Sequence, residues 1–151
     1  MAAAGSSRSS RPPGTAEVTV QGRSPLAPSV VRRVVRAVLA GERRAARVSV
    51  TFLGPERMRR LNRRYKGHDR STDVLAFTLG QPAGPPVGDV YVCARVAARE
   101  ARARALPLRE ELIRLVIHGT LHALGHDHPE GPGRERSAMW RRQERYVEAL
   151  A

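Results

Sequence analysis

The chain has 151 residues, 41% of them hydrophobic and 27% charged, which fits one globular domain with a real core and is too short for two. A single cysteine excludes a disulfide framework and any cysteine-rich zinc module, and no run approaches the ~18 apolar residues of a membrane span. The net charge of +13, carried by 27 Lys and Arg against 14 Asp and Glu, favours a polyanionic partner, with nucleic acid ahead of an acidic membrane surface.

Residues 1–15, rich in Ser, Arg and Ala with Pro12 and Pro13 together, lack a signal-type apolar stretch and are expected to form a disordered tail. A reducing cytoplasm is the expected compartment. The folded domain is expected over 16–151. Glu17 to Val20 alternates like a strand, and Val31, Val34, Val35 and Val38 then recur at helical spacing up to Gly41. Arg47 to Phe52 alternates again. Gly54-Pro55-Glu56 opens a helix with proline in its first turn and an acid behind it. That helix sets Met58, Leu61, Asn62 and Tyr65 on one face, and Arg59, Arg60, Arg63 and Arg64 largely on the other.

A polar loop over 66–71 precedes an expected strand from Thr72 to Phe77. The Gly- and Pro-rich segment 81–87 is expected to be a loop, followed by a strand from Gly88 to Cys93. Helices are expected over Arg95 to Ala105, Leu108 to Leu124 and Arg134 to Leu150. The last of these turns Met139, Trp140, Val147 and Leu150 inward. Strands and helices interleave early and helices gather late, which predicts an α+β domain with a small mixed sheet of about four strands and about five helices.

Four of the five histidines fall in the segment His118-Gly-Thr-Leu-His122-Ala-Leu-Gly-His126-Asp127-His128. His118 and His122 stand one helical turn apart on the same face, where two imidazoles can bind one metal ion with little backbone rearrangement. Gly125 is placed to reverse the chain in the left-handed conformation, so that His126 or His128 can supply a third ligand. Three neutral imidazoles favour zinc with a fourth position open, the arrangement of a hydrolytic rather than a structural site. Zinc proteases carry Glu beside the first His as general base; here Gly119 stands there and offers no proton acceptor.

These residues, together with Leu61-Asn62-x-x-Tyr65-x-Gly67-x-Asp69-x-x-Thr72-Asp73-Val74-Leu75-x-Phe77 and Gly88-Asp89-Val90, resemble the signatures of the YbeY family of metal-dependent endoribonucleases. The resemblance implies zinc on His118, His122 and His128. It implies a catalytic position for Lys66, where the family generally has Arg, and a role as bystander, proton shuttle or competing ligand for His126, where it usually has Tyr. It also implies single-strand-specific RNA cleavage in 16S rRNA 3′-end maturation and ribosome quality control, with ribosomal RNA and the small subunit as partners and no organic cofactor.

Beside it, Arg59, Arg63 and Arg64 are candidates for holding the RNA backbone, and Asp73, His126 and Asp127 for supporting the ligands from behind. Attack by an activated water and attack by the RNA's own 2′-hydroxyl both stay open. The 4% aromatic content argues against a base-stacking platform and for weak sequence preference. A ribosome assembly factor with a structural metal is the competing reading. A metal-dependent peptidase is disfavoured by Gly119.

Overall fold

The computed structural model describes residues 16–79 and 85–151. The expected tail over 1–15 and most of the Gly- and Pro-rich loop lie outside them, and Val87 belongs to a strand rather than to that loop. In chain order the elements are β1 (Glu17–Gln21), α1 (Pro28–Gly41), β2 (Arg47–Phe52), α2 (Pro55–Lys66), β3 (Val74–Leu79), β4 (Val87–Val92), α3 (Ala94–Ala103), α4 (Leu108–Ala123) and α5 (Ala138–Leu150). The sheet is mixed, in the order β1-β2-β4-β3: β1, β2 and β4 run parallel, and β3 pairs antiparallel with β4 at one edge. The α+β class, the four strands and the five helices agree with the sequence reading.

Two boundaries differ from it for physical reasons. β3 starts two residues later than expected, because its ladder with β4 runs from Val74 opposite Val92 to Leu79 opposite Val87. Asp73 remains in the preceding loop and only its carbonyl reaches across, accepting from the Cys93 N–H at 2.9 Å. The last expected helix is two pieces. A single 3-10 turn covers Arg134–Arg136, and Ser137 then caps α5 by accepting from the Trp140 N–H with its hydroxyl at 3.1 Å. A serine hydroxyl at that position satisfies an N–H that has no partner inside the helix, so the helix starts after it.

α4 is the centre of the molecule. Nearly every side chain on it is buried, and it touches β2, β3 and β4 on one side and α1, α3 and α5 on the others. A helix buried on nearly every side needs such complete cover, and the charges it buries, Glu111 and Arg114, pair with each other at 3.1 Å. Its approach to the sheet depends on two glycines. A Cβ on Gly119 would sit 2.4 Å from a methyl of Val90, and one on Gly88 would sit 2.6 Å from the Ala123 Cβ. Gly119 therefore does more than lack the base of a zinc protease: no side chain fits there. At the same end of α4 the Thr78 hydroxyl donates to the Ala123 carbonyl at 2.9 Å, fastening the edge strand β3 to the helix terminus that carries the histidines.

Candidate metal centre

His118 and His122 project from the last turns of α4 with ring centroids 4.7 Å apart. The helix then ends as its sequence requires. Gly125 takes φ +98°, its N–H donates to the His122 carbonyl, and the His126 N–H donates to the Leu121 carbonyl. This pair of bonds is a Schellman motif, which reverses the chain. The reversed segment brings His128 to within 5.0 Å of His118 and 4.8 Å of His122, centroid to centroid. One ring nitrogen from each of the three lies within 4.8 Å of the other two. Bonds of ~2.1 Å to one ion need a somewhat tighter triangle, within reach of small side-chain rotations.

The chemistry of the donors fits a transition metal. The His118 Nδ1–H donates to the amide oxygen of Gln143 on α5 at 2.6 Å, and the His128 Nδ1–H donates to the Pro129 carbonyl at 2.9 Å. Each bond fixes a tautomer that leaves Nε2 with a free lone pair, the usual second partner of a ligating imidazole. Burial pushes the His118 pKa down to about 3; the charges of His122, Arg134 and His128 add to that, and the Gln143 bond opposes it. Burial, followed by the His128 charge, also lowers His122. Both rings are thereby held neutral, as a metal ligand must be.

His126 is not part of the triangle. Its Nε2 lies 2.7 Å from the Glu42 carboxylate at the end of α1, which also accepts from Arg142 at 2.8 Å and from the Tyr146 hydroxyl at 3.0 Å. Burial by itself would raise the Glu42 carboxyl, but the bonds from Tyr146, Arg142 and His126 and the Arg142 charge outweigh it and hold the pKa below its ordinary value. His126 thus moors the loop that delivers His128. Asp127 accepts the His128 N–H at 2.8 Å and shapes the same loop. Asp73 makes no hydrogen bond to a ring of the cluster among the described residues. Its carboxyl is raised by burial, a shift opposed by the charge of Arg134 and by the backbone N–H groups of Val74 and of Asp73 itself.

The triangle opens on a cleft of about 600 Å³, lined also by Lys66, Arg70, Asp73, Asp127, Glu130 and Arg134. Lys66 is held there by the end of α2. Gly67 at φ +73° stops the helix, and the buried Asn62 amide donates to the Arg70 carbonyl at 2.9 Å, pinning the loop. Arg59, Arg63 and Arg64 do not line the cleft. Arg59 is tied bidentately to Asp69 at 2.9 and 3.2 Å, and Arg64 lies over the Tyr65 ring. Sequence reasoning missed Gln143 and Arg134. A lone polar side chain on the inner stripe of α5, four residues from both Met139 and Val147, was the available sign for Gln143. Arg134 has no acidic partner among the described residues, its buried Nε lacks a hydrogen bond, and its guanidinium lies 5.6 Å from the Trp140 ring centre. Nothing in the sequence separates it from the other arginines.

The family model described as endoribonuclease YbeY matches residues 19–151. Among curated relatives, an endoribonuclease YbeY of Anaeromyxobacter is 40% identical over 140 residues, covering 89% of this chain and 70% of that protein. One from Bordetella pertussis is 42% identical over 106 residues, covering 65% of this chain and 68% of its own. The solution structure of a Thermotoga maritima protein superposes with a TM-score of 0.63 at 28% identity, covering 88% of both chains. The matched span takes in all three clustered histidines and Lys66 at the end of α2, and the chain belongs to the endoribonuclease YbeY family.

Proposed function

We propose that this chain is a zinc-dependent, single-strand-specific endoribonuclease that acts in the cytoplasm on ribosomal RNA, in 16S 3′-end maturation and ribosome quality control, with the small subunit as its docking partner. The observation that carries the reading is a triangle of three imidazoles opening on a cleft whose wall includes Lys66, Arg70 and Arg134. Zinc is the ion the donor set suits best, and bound there it supplies Lewis acidity toward a phosphodiester oxygen.

The chain's own groups bind and orient. Lys66, Arg70 and Arg134 line the cleft beside the triangle and hold non-bridging phosphate oxygens. Arg134 is the best prepared of the three, since its guanidinium rests on Trp140 and its buried Nε has no hydrogen-bond partner. Lys66 contributes a point charge without the planar fork of an arginine. Arg63 and Arg64, on the neighbouring helix but outside the cleft, extend the electropositive surface along which an RNA backbone runs. Arg59 shares its charge with Asp69 and contributes less than its position in the sequence implied. Gln143 keeps the His118 ring oriented, and His126 with Glu42 keeps the His128 loop in place.

The test is cleavage of a precursor 16S 3′ fragment, free and within the small subunit, by zinc-loaded protein and by His122→Ala. The expected result is cutting in unpaired RNA by the wild type and none by a variant that retains its fold. Product ends then report the attacking group: a 2′,3′-cyclic phosphate marks the RNA's 2′-hydroxyl. A zinc-loaded wild type that binds the subunit and cuts in neither setting would establish the assembly-factor reading instead.

A further inference from the structure

Three aromatic rings from three separate elements meet on the side of β3 opposite the histidines. Tyr65, in the last turn of α2, lies 5.2 Å centroid to centroid from Phe77 of β3, and Phe77 lies 6.1 Å from Tyr91 of β4. The chain has one Trp, three Tyr and two Phe, so half of its aromatic residues stand in this one row. The foot of the row is anchored, because Phe77 and Tyr91 pack with Leu61 against a small core of Leu53, Met58, Leu75, Cys93 and Val96. Its head is open: Tyr65 is 55% exposed and, with Leu79, is one of two large hydrophobic side chains exposed among the described residues. A ring left mostly in water adds little to the core it borders, so packing does not account for it.

Two cations flank the row. The Arg64 guanidinium carbon is 5.3 Å from the Tyr65 ring centre and the Lys66 ammonium is 5.8 Å from that of Phe77. Lys66 also lines the histidine cleft, and its charge is felt at His122. The alternation of β3 explains the arrangement. Val74 and Ala76 pack toward the main core under α4 while Leu75 and Phe77 pack on the small core of the other face, and residues 74–76 border the cleft, so the two sites are separated by a single edge strand with Lys66 reaching both.

We propose that Tyr65, backed by Phe77 and Tyr91, is a stacking subsite for one unpaired nucleobase, that of the nucleotide next to the phosphodiester held in the cleft. Arg64 and Lys66 take the phosphates on either side of it. This deepens the RNA-cleaving reading and rests on it. A ring more than half exposed with flanking positive charge accepts any base, once Arg64 turns from the ring to a phosphate, but requires that base to be unstacked and unpaired. The subsite therefore selects single-stranded RNA without selecting sequence. Low aromatic content, which argued against stacking, is offset by the concentration of three rings at one place.

The test uses the full zinc-loaded chain and a short single-stranded RNA whose cleavage position has been mapped. Tyr65→Ala is expected to raise KM by ~5-fold or more while changing kcat less than ~2-fold, with Tyr65→Trp and Tyr65→Phe restoring KM. An RNA made abasic at the nucleotide beside the cut should be bound equally by wild type and Tyr65→Ala, because the two changes remove the same contact. Circular dichroism and zinc content check the fold, and Tyr65→Leu, apolar but without a ring face, serves if Tyr65→Ala is unstable. An unchanged KM in the folded variant, or a penalty that persists with abasic RNA at every position flanking the cut, would overturn the subsite. A wild type that neither binds nor cuts single-stranded RNA would overturn the RNA-cleaving reading along with it. Cleavage indifferent to Tyr65 would overturn the subsite alone.

Discussion

His118 is held by its partner as well as by its helix. At 5% exposure, with Nδ1 committed to Gln143, its ring is held in one orientation and one tautomer, and an ion bound there would inherit that order. Gln143→Leu is expected to lower zinc affinity ~10- to 100-fold, the usual effect of deleting a hydrogen-bond partner behind a ligating imidazole. Competition with a chromophoric chelator measures it, and Gln143→Glu, which retains the acceptor, should recover most of the affinity. Arg134 acts on substrate rather than metal in the proposed mechanism. Arg134→Ala should lower kcat/KM ~10- to 100-fold with zinc content unchanged, the scale of one charge-assisted phosphate contact, and Arg134→Lys should recover part of it. Arg134 was not legible in the sequence and Gln143 showed only as a lone polar residue on an apolar stripe, because each acquires its role from the fold: Gln143 is 25 positions from His118, and Arg134 stands out only by its place on the cleft wall with a buried, unpartnered Nε.

At the scale of elements, the close seat of α4 on β4 sets where the histidines stand. Gly119→Ala gains helix propensity of ~1 kcal/mol but drives a methyl into Val90, a stiff, fully buried side chain, at an overpacking cost of ~1–3 kcal/mol. The expected net outcome is a lower urea midpoint, and Gly88→Ala, facing Ala123 from the strand side, should behave alike. Gly119→Glu, which would recreate a protease-like helix, should lose stability and gain no peptidase activity. Much at this scale was legible. The i, i+4 histidines, the Gly125 reversal and the Pro55 start depend on neighbours in the chain, and local rules govern local structure. The start of β3 and the break at Ser137 were missed for opposite reasons. The first depends on a pairing register with β4, whereas the second was visible as a capping hydroxyl within an apparently continuous helical pattern.

For the whole molecule, the depressed pKa values of His118 and His122 carry a stability consequence. In the unfolded chain both rings take up a proton as pH falls through ~6.5, whereas in the metal-free fold they resist, His118 down to about 3. The unfolded state then binds more protons, so stability falls as pH drops below ~6.5, by up to ~1.4 kcal/mol per pH unit for each fully shifted ring. Asp73, whose pKa is raised, works the other way, but only as pH enters the carboxyl range. Urea melts of chelated protein between pH 7.5 and pH 5 are expected to show this decline, and zinc should raise stability while making the fall steeper, because a bound ion keeps the rings unprotonated as the unfolded chain takes up protons.

The sequence by itself determined the α+β class, the order of nearly all the elements, the two helical histidines of the cluster and the net positive charge, since periodicity, capping and composition are properties of neighbouring residues. On residues alone it left His126 and His128 open as the third ligand; the family motif pointed to His128, and in the fold His126 turns to Glu42 while His128 closes the triangle. Tertiary structure alone decided which arginines edge the cleft, what stands behind His118 and where three scattered rings assemble. Those outcomes depend on contacts between residues far apart in the chain, and only the packing of the sheet against α4 and α5 brings them together.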